Sequence, residues 1–263
     1  LNMDVNAIEE AQKNGGEVTG LSTGYRDLDH MTVGLQKSDM IIVAARPSMG
    51  KTAFALNIAQ NAAIKHGARV VIFSLEMSAE DLGLRMLSME DSRKLRKGDL
   101  SADDWADINE ALDRLSRTDI VIDDTSGITP MEIRNKCRRI HQQKPIDLVV
   151  IDYLQIMAPD QGSESRQQEV STMSRYLKQL ARELECPVIV LSQLSRASEK
   201  RQGTRKPMMS DLRDSGAIEQ DADVIMFLHR DDYYKDSAEQ KDNICEVIVA
   251  KQRKGETGSV FLT

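Results

Sequence analysis

A lysine and a threonine stand together at Gly50-Lys51-Thr52, directly behind an apolar run and directly ahead of a helical stretch. The segment Ala45-Arg46-Pro47-Ser48-Met49-Gly50-Lys51-Thr52 keeps the spacing of the Walker A phosphate loop, G-x-x-x-x-G-K-[ST], with Ala45 in place of the first glycine. That position calls for a small residue more than for glycine. Backbone N–H groups of such a loop, with those of the helix it opens, wrap phosphate oxygens. The expected nucleotide-binding residues are therefore Arg46, Pro47, Ser48, Met49, Gly50, Lys51 and Thr52. Lys51 would reach the β- and γ-phosphates, and the Thr52 hydroxyl would bind Mg²⁺. The plain alternative is a chance Gly-Lys-Thr in a turn.

A second run, Leu148-Val149-Val150-Ile151-Asp152, lies about a hundred residues downstream. An apolar strand ending in a carboxylate is common by itself. Paired with a phosphate loop it becomes a Walker B strand, with Asp152 holding Mg²⁺ through water. ATP and Mg²⁺ are the expected nucleotide and metal.

These residues need strands and helices to bring them together. Asp39–Ala45, Arg69–Ser74, Ile120–Ile122, Asp147–Asp152, Pro187–Ser192, Val224–His229 and Cys245–Ala250 read as short apolar strands. Between them lie helical stretches: one through about His66, one opened by Ser78 with Asp81, one by Ser101 with Asp104, and one by Thr129-Pro130 with Glu132, ending near Gln143. Val170, Met173, Leu177, Leu180 and Leu184 recur at three- and four-residue steps, which predicts an amphipathic helix with a core-facing stripe. Strands alternating with helices make βαβ units and a mainly parallel sheet flanked by helices, an α/β fold. Ala158–Gln168 and Arg196–Asp214 are polar and follow strand ends, the edge where open α/β sheets bind ligands.

The chain has 263 residues, 40% of them hydrophobic, enough for one large domain with a real core. The expected organisation is a linker helix and linker over residues 1–16 and a single motor domain over 17–263. A net charge of −7 argues against a surface that coats nucleic acid throughout, yet leaves room for a local basic groove. Arg196, Lys200, Arg201, Arg205, Lys206 and Arg213 stand against Glu199 and Asp211, a local excess of four positive charges. Cys137, Cys186 and Cys245 match no metal spacing and point to a reducing compartment. No apolar run is long enough to span a bilayer. A cytoplasmic protein without membrane contact is expected, cut from a longer chain at both ends.

Seven segments, in order, resemble the C-terminal motor domain of DnaB-type replicative helicases. They are Ala45–Thr52, Ser74-Leu75-Glu76-Met77, Asp152-Tyr153-Leu154-Gln155, Leu191-Ser192-Gln193-Leu194-Ser195-Arg196, Pro207–Asp223, Arg230-Asp231-Asp232-Tyr233-Tyr234 and Ala250-Lys251-Gln252-Arg253. The resemblance implies a RecA-like fold, ATP hydrolysis, and a homohexameric ring around single-stranded DNA, with a primase and a helicase loader as partners. Two departures stand out: the family's N-terminal helical domain is missing, and Ser88–Gly98 is shorter than the family's stretch.

The same resemblance assigns roles. Glu76 matches the catalytic glutamate, which would orient the attacking water; taken without the resemblance, it is a solvated acid near a helix start. Gln193, at a strand end, would hydrogen-bond the γ-phosphate and act as a sensor of hydrolysis, where the alternative is an amide bonded to its neighbours. Lys251 and Arg253, two apart near the sheet's edge, share a face and match the finger pair that reaches a neighbouring subunit's ATP; a solvated basic strand end is the alternative, with Lys254 beside them. Arg196, Lys200, Arg201, Arg213, Asp214 and Gly216 fall where the family holds DNA. Aromatics are scarce there, so backbone tracking is expected rather than base reading; the alternative is a surface loop. Arg230–Tyr234 matches a family segment without a derived role. Two rival functions share the ATP site: a RecA/RadA-like recombinase, and a nucleotide-switch scaffold that does not hydrolyse.

Overall fold

The computed structural model describes residues 18–87, 100–154, 157, 166–194, 206–212, 216–234 and 243–263. The linker helix of residues 1–16 and the Ser88–Gly98 stretch lie outside them.

Among the described residues, eight strands form one sheet: β1 (Met40–Ala45), β2 (Arg69–Ser74), β3 (Asp119–Asp123), β4 (Leu148–Asp152), β5 (Val188–Gln193), β6 (Val224–His229), β7 (Cys245–Gln252) and β8 (Gly258–Leu262). Their order across the sheet is β3-β2-β4-β5-β1-β6-β7-β8. The first six strands are parallel to their neighbours, while β7 and β8 run antiparallel. Seven helices accompany them: α1 (Arg26–Thr32), α2 (Lys51–His66), α3 (Ala79–Leu87), α4 (Ala102–Ser116), α5 (Pro130–Gln143), α6 (Arg166–Leu184) and α7 (Gly216–Asp221).

The sheet is covered on both faces, which is why its central strands are apolar at every position. All six residues of β1, β2 and β6 are buried. Met40, Ile42 and Ala44 of β1 face a core with Ile133 of α5 and Met173, Leu177 and Leu180 of α6. Ile41, Val43 and Ala45 face the other core with Phe54, Ile58 and Ala62 of α2 and Leu82 of α3.

Most helix starts follow the expected capping chemistry. Ser101 with Asp104 and Thr129 with Glu132 form complete capping boxes, and Pro130 occupies the first turn of α5. Ser78 accepts from the Asp81 N–H ahead of α3. Three expectations need correction. β7 continues to Gln252, two residues past Ala250. Residues 166–168 of the supposed polar loop already belong to α6. And β7 is not at the sheet's margin, because β8 pairs outside it. Neither α1 nor α7 was expected. α1 lacks a side-chain cap and is instead anchored by Asp29, which accepts from Thr23 N at 2.8 Å, Thr23 Oγ1 at 2.8 Å and Ser22 Oγ at 2.5 Å.

Candidate nucleotide site and its opposite edge

β1 and β5 are neighbours whose outgoing connections run opposite ways, β1 to β2 on one side and β5 to β6 on the other. The crevice at such a switch point is where open α/β sheets take ligands. The phosphate-loop segment sits there, between β1 and α2.

Gly50 caps α2 with φ 91° and ψ 17°. A Cβ at Gly50 would meet nothing within 4 Å, so the left-handed backbone, and not space, calls for glycine. Ser48 also has a positive φ, 65°. The first turn of α2 carries no acidic residue and no side-chain cap, so its N–H groups and the positive end of its dipole stay available to an anion. Met49 is buried against the α2 core and anchors the loop. Arg46 reaches across the crevice and donates to the Leu194 carbonyl at 3.1 Å.

Asp152 ends β4 in register with Ser74 of β2. Thr52 Oγ1 donates to Asp152 Oδ2 at 2.6 Å, and Lys51 Nζ stands 3.7 Å from Asp152 Oδ1. The two Walker segments, a hundred residues apart, thus meet side chain to side chain. The Leu75 N–H donates to the Asp152 carbonyl at 2.7 Å, which draws the segment carrying Glu76 over the end of β4. Glu76 is exposed. Burial pushes the Lys51 ammonium below the usual lysine range, while the carboxylates of Asp152 and Glu76 pull it back up. Glu76 therefore acts on Lys51 electrostatically. Gln193 closes β5 in register with Ala45, beside the entry to the loop. Ends of consecutive strands β2, β4, β5 and β1 bring Glu76, Asp152, Gln193 and Lys51 to one edge.

Tyr153 was given no role from sequence, yet Lys51 Nζ lies 4.1 Å from its ring centroid. A cation over a ring face is held by the ring quadrupole; the available signal was only its adjacency to Asp152. Arg230–Tyr234 follows β6 and lies at this same edge, because Leu228 pairs with Ala45. Arg230 is ion-paired with buried Asp232 at 2.9 Å, and His229 contacts Asp231 at 2.8 Å.

Lys251 and Arg253 are elsewhere. β7 runs antiparallel, and Gln252 pairs with Val224, the first residue of β6. The pair therefore emerges where the parallel strands begin, about one strand length, roughly 17–20 Å, from the phosphate loop. Both do share a face: Lys251 Nζ donates to the carbonyls of Glu219 at 2.5 Å and Ala222 at 2.6 Å, and Arg253 donates to that of Gln220. These are carbonyls at the C-terminal end of α7, the negative end of its dipole. Gly216 opens α7, with open space around it. Arg196, Lys200, Arg201, Arg205, Arg213 and Asp214 lie outside the described residues. Lys206, from the same basic run, is ion-paired with Glu246 at 2.6 Å.

Residues 20–263 match the family model of the DnaB-like helicase C-terminal domain. The chain is 56% identical, over 97% of its length, to the replicative DNA helicase DnaB of Geobacillus stearothermophilus, and 55% identical over the same share to the replicative DNA helicase DnaC of Bacillus subtilis. It spans 57% of the length of each of these relatives. Among solved structures it superposes on an isolated ATPase domain with a TM-score of 0.91 and 42% identity, covering 98% of this chain and 92% of that one. It also superposes on a DnaB-like replicative helicase, described together with its interactions with primase, with a TM-score of 0.90 and 41% identity, covering 98% and 63%. With a RecA-like sheet, a formed phosphate-loop crevice and a match over nearly its whole length, the chain belongs to the DnaB-like helicase C-terminal domain family.

Proposed function

We propose that this chain is the ATP-hydrolysing motor of a replicative DNA helicase, which translocates on single-stranded DNA and unwinds duplex at the replication fork. One observation carries the reading. The phosphate loop, acid, carboxylate and amide gather at one edge of the sheet, while the paired cations Lys251 and Arg253 emerge at the opposite edge. The pair is too far to serve its own site. It completes the site only of a second copy, as a six-membered ring provides at every seam.

At such a seam Lys51 and the N–H groups of α2 bind the ATP phosphates. Glu76 orients a water and accepts its proton as the oxygen attacks the γ-phosphorus. The bond from that phosphorus to the bridging oxygen breaks, and ADP leaves. Asp152 Oδ1 is buried without a hydrogen-bond partner among the described residues, beside the Thr52 hydroxyl, an arrangement that suits Mg²⁺. No cluster of three or more metal-binding His, Cys, Asp or Glu residues occurs among the described residues, so phosphate oxygens and water would complete the coordination. Bound by Thr52 and Asp152, the ion would neutralise charge on the phosphate oxygens. Lys251 and Arg253 from the adjoining copy would steady the charge that develops in the transition state, an effect of about 10³–10⁵ in rate where it has been measured. Gln193 would lose its γ-phosphate bond on hydrolysis and pass that change to the residues behind it, where Arg196, Lys200, Arg201, Arg213, Asp214 and Gly216 would contact the DNA backbone. No described helix is long and apolar enough to cross a membrane; a cytoplasmic setting, with a primase and a loader as partners, goes with this reading.

The test is the ATPase rate with and without single-stranded DNA. A motor shows hydrolysis that rises severalfold when the strand is added. A chain that binds ATP and does not hydrolyse it under either condition is a nucleotide switch, and the proposal falls.

A further inference from the structure

The finger pair has company. Arg175, Lys178, Gln179 and Arg182 lie on α6 at steps of three, four and seven residues, so they form one stripe, opposite the apolar stripe of Met173, Leu177 and Leu180 that faces the core. Together with Asp221 and Arg253 they line a single groove at the sheet edge remote from the phosphate loop. Four cations face one carboxylate there. Asp221 already accepts from Ser174 Oγ at 2.7 Å. Lys178 is held within the fold, by Asp223 and by the Ser38 carbonyl at 2.8 Å. Arg175 and Arg182 are exposed, and no carboxylate among the described residues is ion-paired with either.

The nucleotide edge has the opposite character. Glu76, Glu80 and Asp124 are exposed around the ends of β2 and β3. Bound ATP would add a triphosphate to that edge. One edge is thus basic and the other acidic, in a chain whose net charge is −7. Complementary charges at opposite edges of one subunit favour head-to-tail contact, the geometry that closes into rings.

We propose that the groove between α6 and the end of β7 receives the ATP-loaded nucleotide edge of a second copy, with Arg175 and Arg182 as anchoring charges beside Arg253. The inference rests on the reading that Arg253 acts on a neighbour's ATP, and it adds two positioning residues on a different element. α6 leads directly into β5 and Gln193. A seam anchored on α6 therefore links one copy's ATP to the next copy's sensor strand.

The experiment uses the double variant Arg175→Glu, Arg182→Glu in the 263-residue chain. Both positions are exposed on a helix, and glutamate is a good helix former. The expected result is an unchanged melting temperature and unchanged affinity for a fluorescent ATP analogue at monomeric concentrations. Assembly with a non-hydrolysable ATP analogue, followed by mass photometry, should need at least tenfold more protein. The shift should shrink at high salt, and Arg175→Lys, Arg182→Lys should restore assembly. Assembly at the parent concentration overturns the proposal. So does weakened single-stranded DNA binding with assembly intact, which would make the groove a polyanion track. If the double variant fails to fold, Arg182→Ala is put through the same assembly measurement with the same criteria. Arg253→Ala, measured in parallel, separates the two ideas. If it keeps full ATPase while the α6 variant cannot assemble, the trans-acting finger falls and the seam stands. If it is inactive while the α6 variant assembles like the parent, the groove proposal falls alone.

Discussion

Replacing Lys51 with alanine sets two effects of opposite sign against each other, and their sizes can be argued from the structure. The lysine side chain is only 11% exposed, stands 3.7 Å from Asp152 Oδ1 and lies 4.1 Å from the Tyr153 ring centroid. Its removal loses an ion pair and a cation–ring contact, each of order 1 kcal/mol. It also removes a cation whose burial is unfavourable, as its lowered pKa shows. Asp152 keeps its 2.6 Å bond from Thr52. The terms nearly cancel, so folding stability should change by no more than about 1 kcal/mol, a melting shift of roughly 2–4 °C for a domain of this size. Nucleotide binding has no such compensation. A charge-assisted hydrogen bond is worth about 1.5–3 kcal/mol, so ATP should bind roughly ten- to a hundredfold more weakly, with hydrolysis abolished. Thermal melting and titration with a fluorescent ATP analogue measure the two effects separately. A folded variant with unchanged ATPase would refute the assignment of the site. A melting loss of roughly 10 °C or more, well beyond the shift expected of one surface-scale interaction, would show that Lys51 holds the crevice together rather than the phosphates.

Glu76→Gln should bind ATP with near-parent affinity and turn it over slower by two to four orders of magnitude, the usual contribution of a positioned proton acceptor; single-turnover kinetics at saturating ATP measure it, and a loss confined to affinity would mark Glu76 as a structural acid. Glu183, on α6, is a stability prediction away from the site. Partial burial opposes its charge, but hydrogen bonds from Arg138 and Arg134 win and hold its pKa below the ordinary value of 4.5. A carboxylate with a lowered folded pKa contributes stability above its unfolded value and loses it as pH falls through the folded one. Glu183→Gln should therefore cost up to about 1 kcal/mol at pH 7, because these pairs are partly exposed, and the gap to the parent should close below pH 4.5. Urea unfolding across pH checks this; a gap that widens in acid would reverse the sign.

The local chemistry of the site was legible because it is written in contiguous residues. Gly50-Lys51-Thr52 needs its glycine for one left-handed torsion, and Leu148–Asp152 is a buried strand that ends in its carboxylate. The full capping boxes at Ser101 and Thr129 could be read for the same reason. Contacts between distant segments could not. Nothing in Tyr153 announces that its ring will sit under Lys51. α1 is held by Asp29 bonding back to Ser22 and Thr23, which no propensity reports. The finger pair shows the limit most clearly. Their shared face was readable from a two-residue step, but their location was expected from nearness to the sheet's margin. What places them is the reversal of β7 against β6, a pairing between segments that sequence periodicity does not encode.

The most direct test of the central claim, that each ATP is hydrolysed between two copies, is mixing Arg253→Ala protein with Lys51→Ala protein. Each should be inactive alone, since one lacks the finger and the other the phosphate grip. Mixed rings, confirmed by mass measurement, contain seams with an intact loop on one side and an intact Arg253 on the other. ATPase should reappear in them, highest near equal mixing and absent at both extremes. Full ATPase of Arg253→Ala alone, with no dependence on mixing, would contradict a site completed by the neighbouring copy.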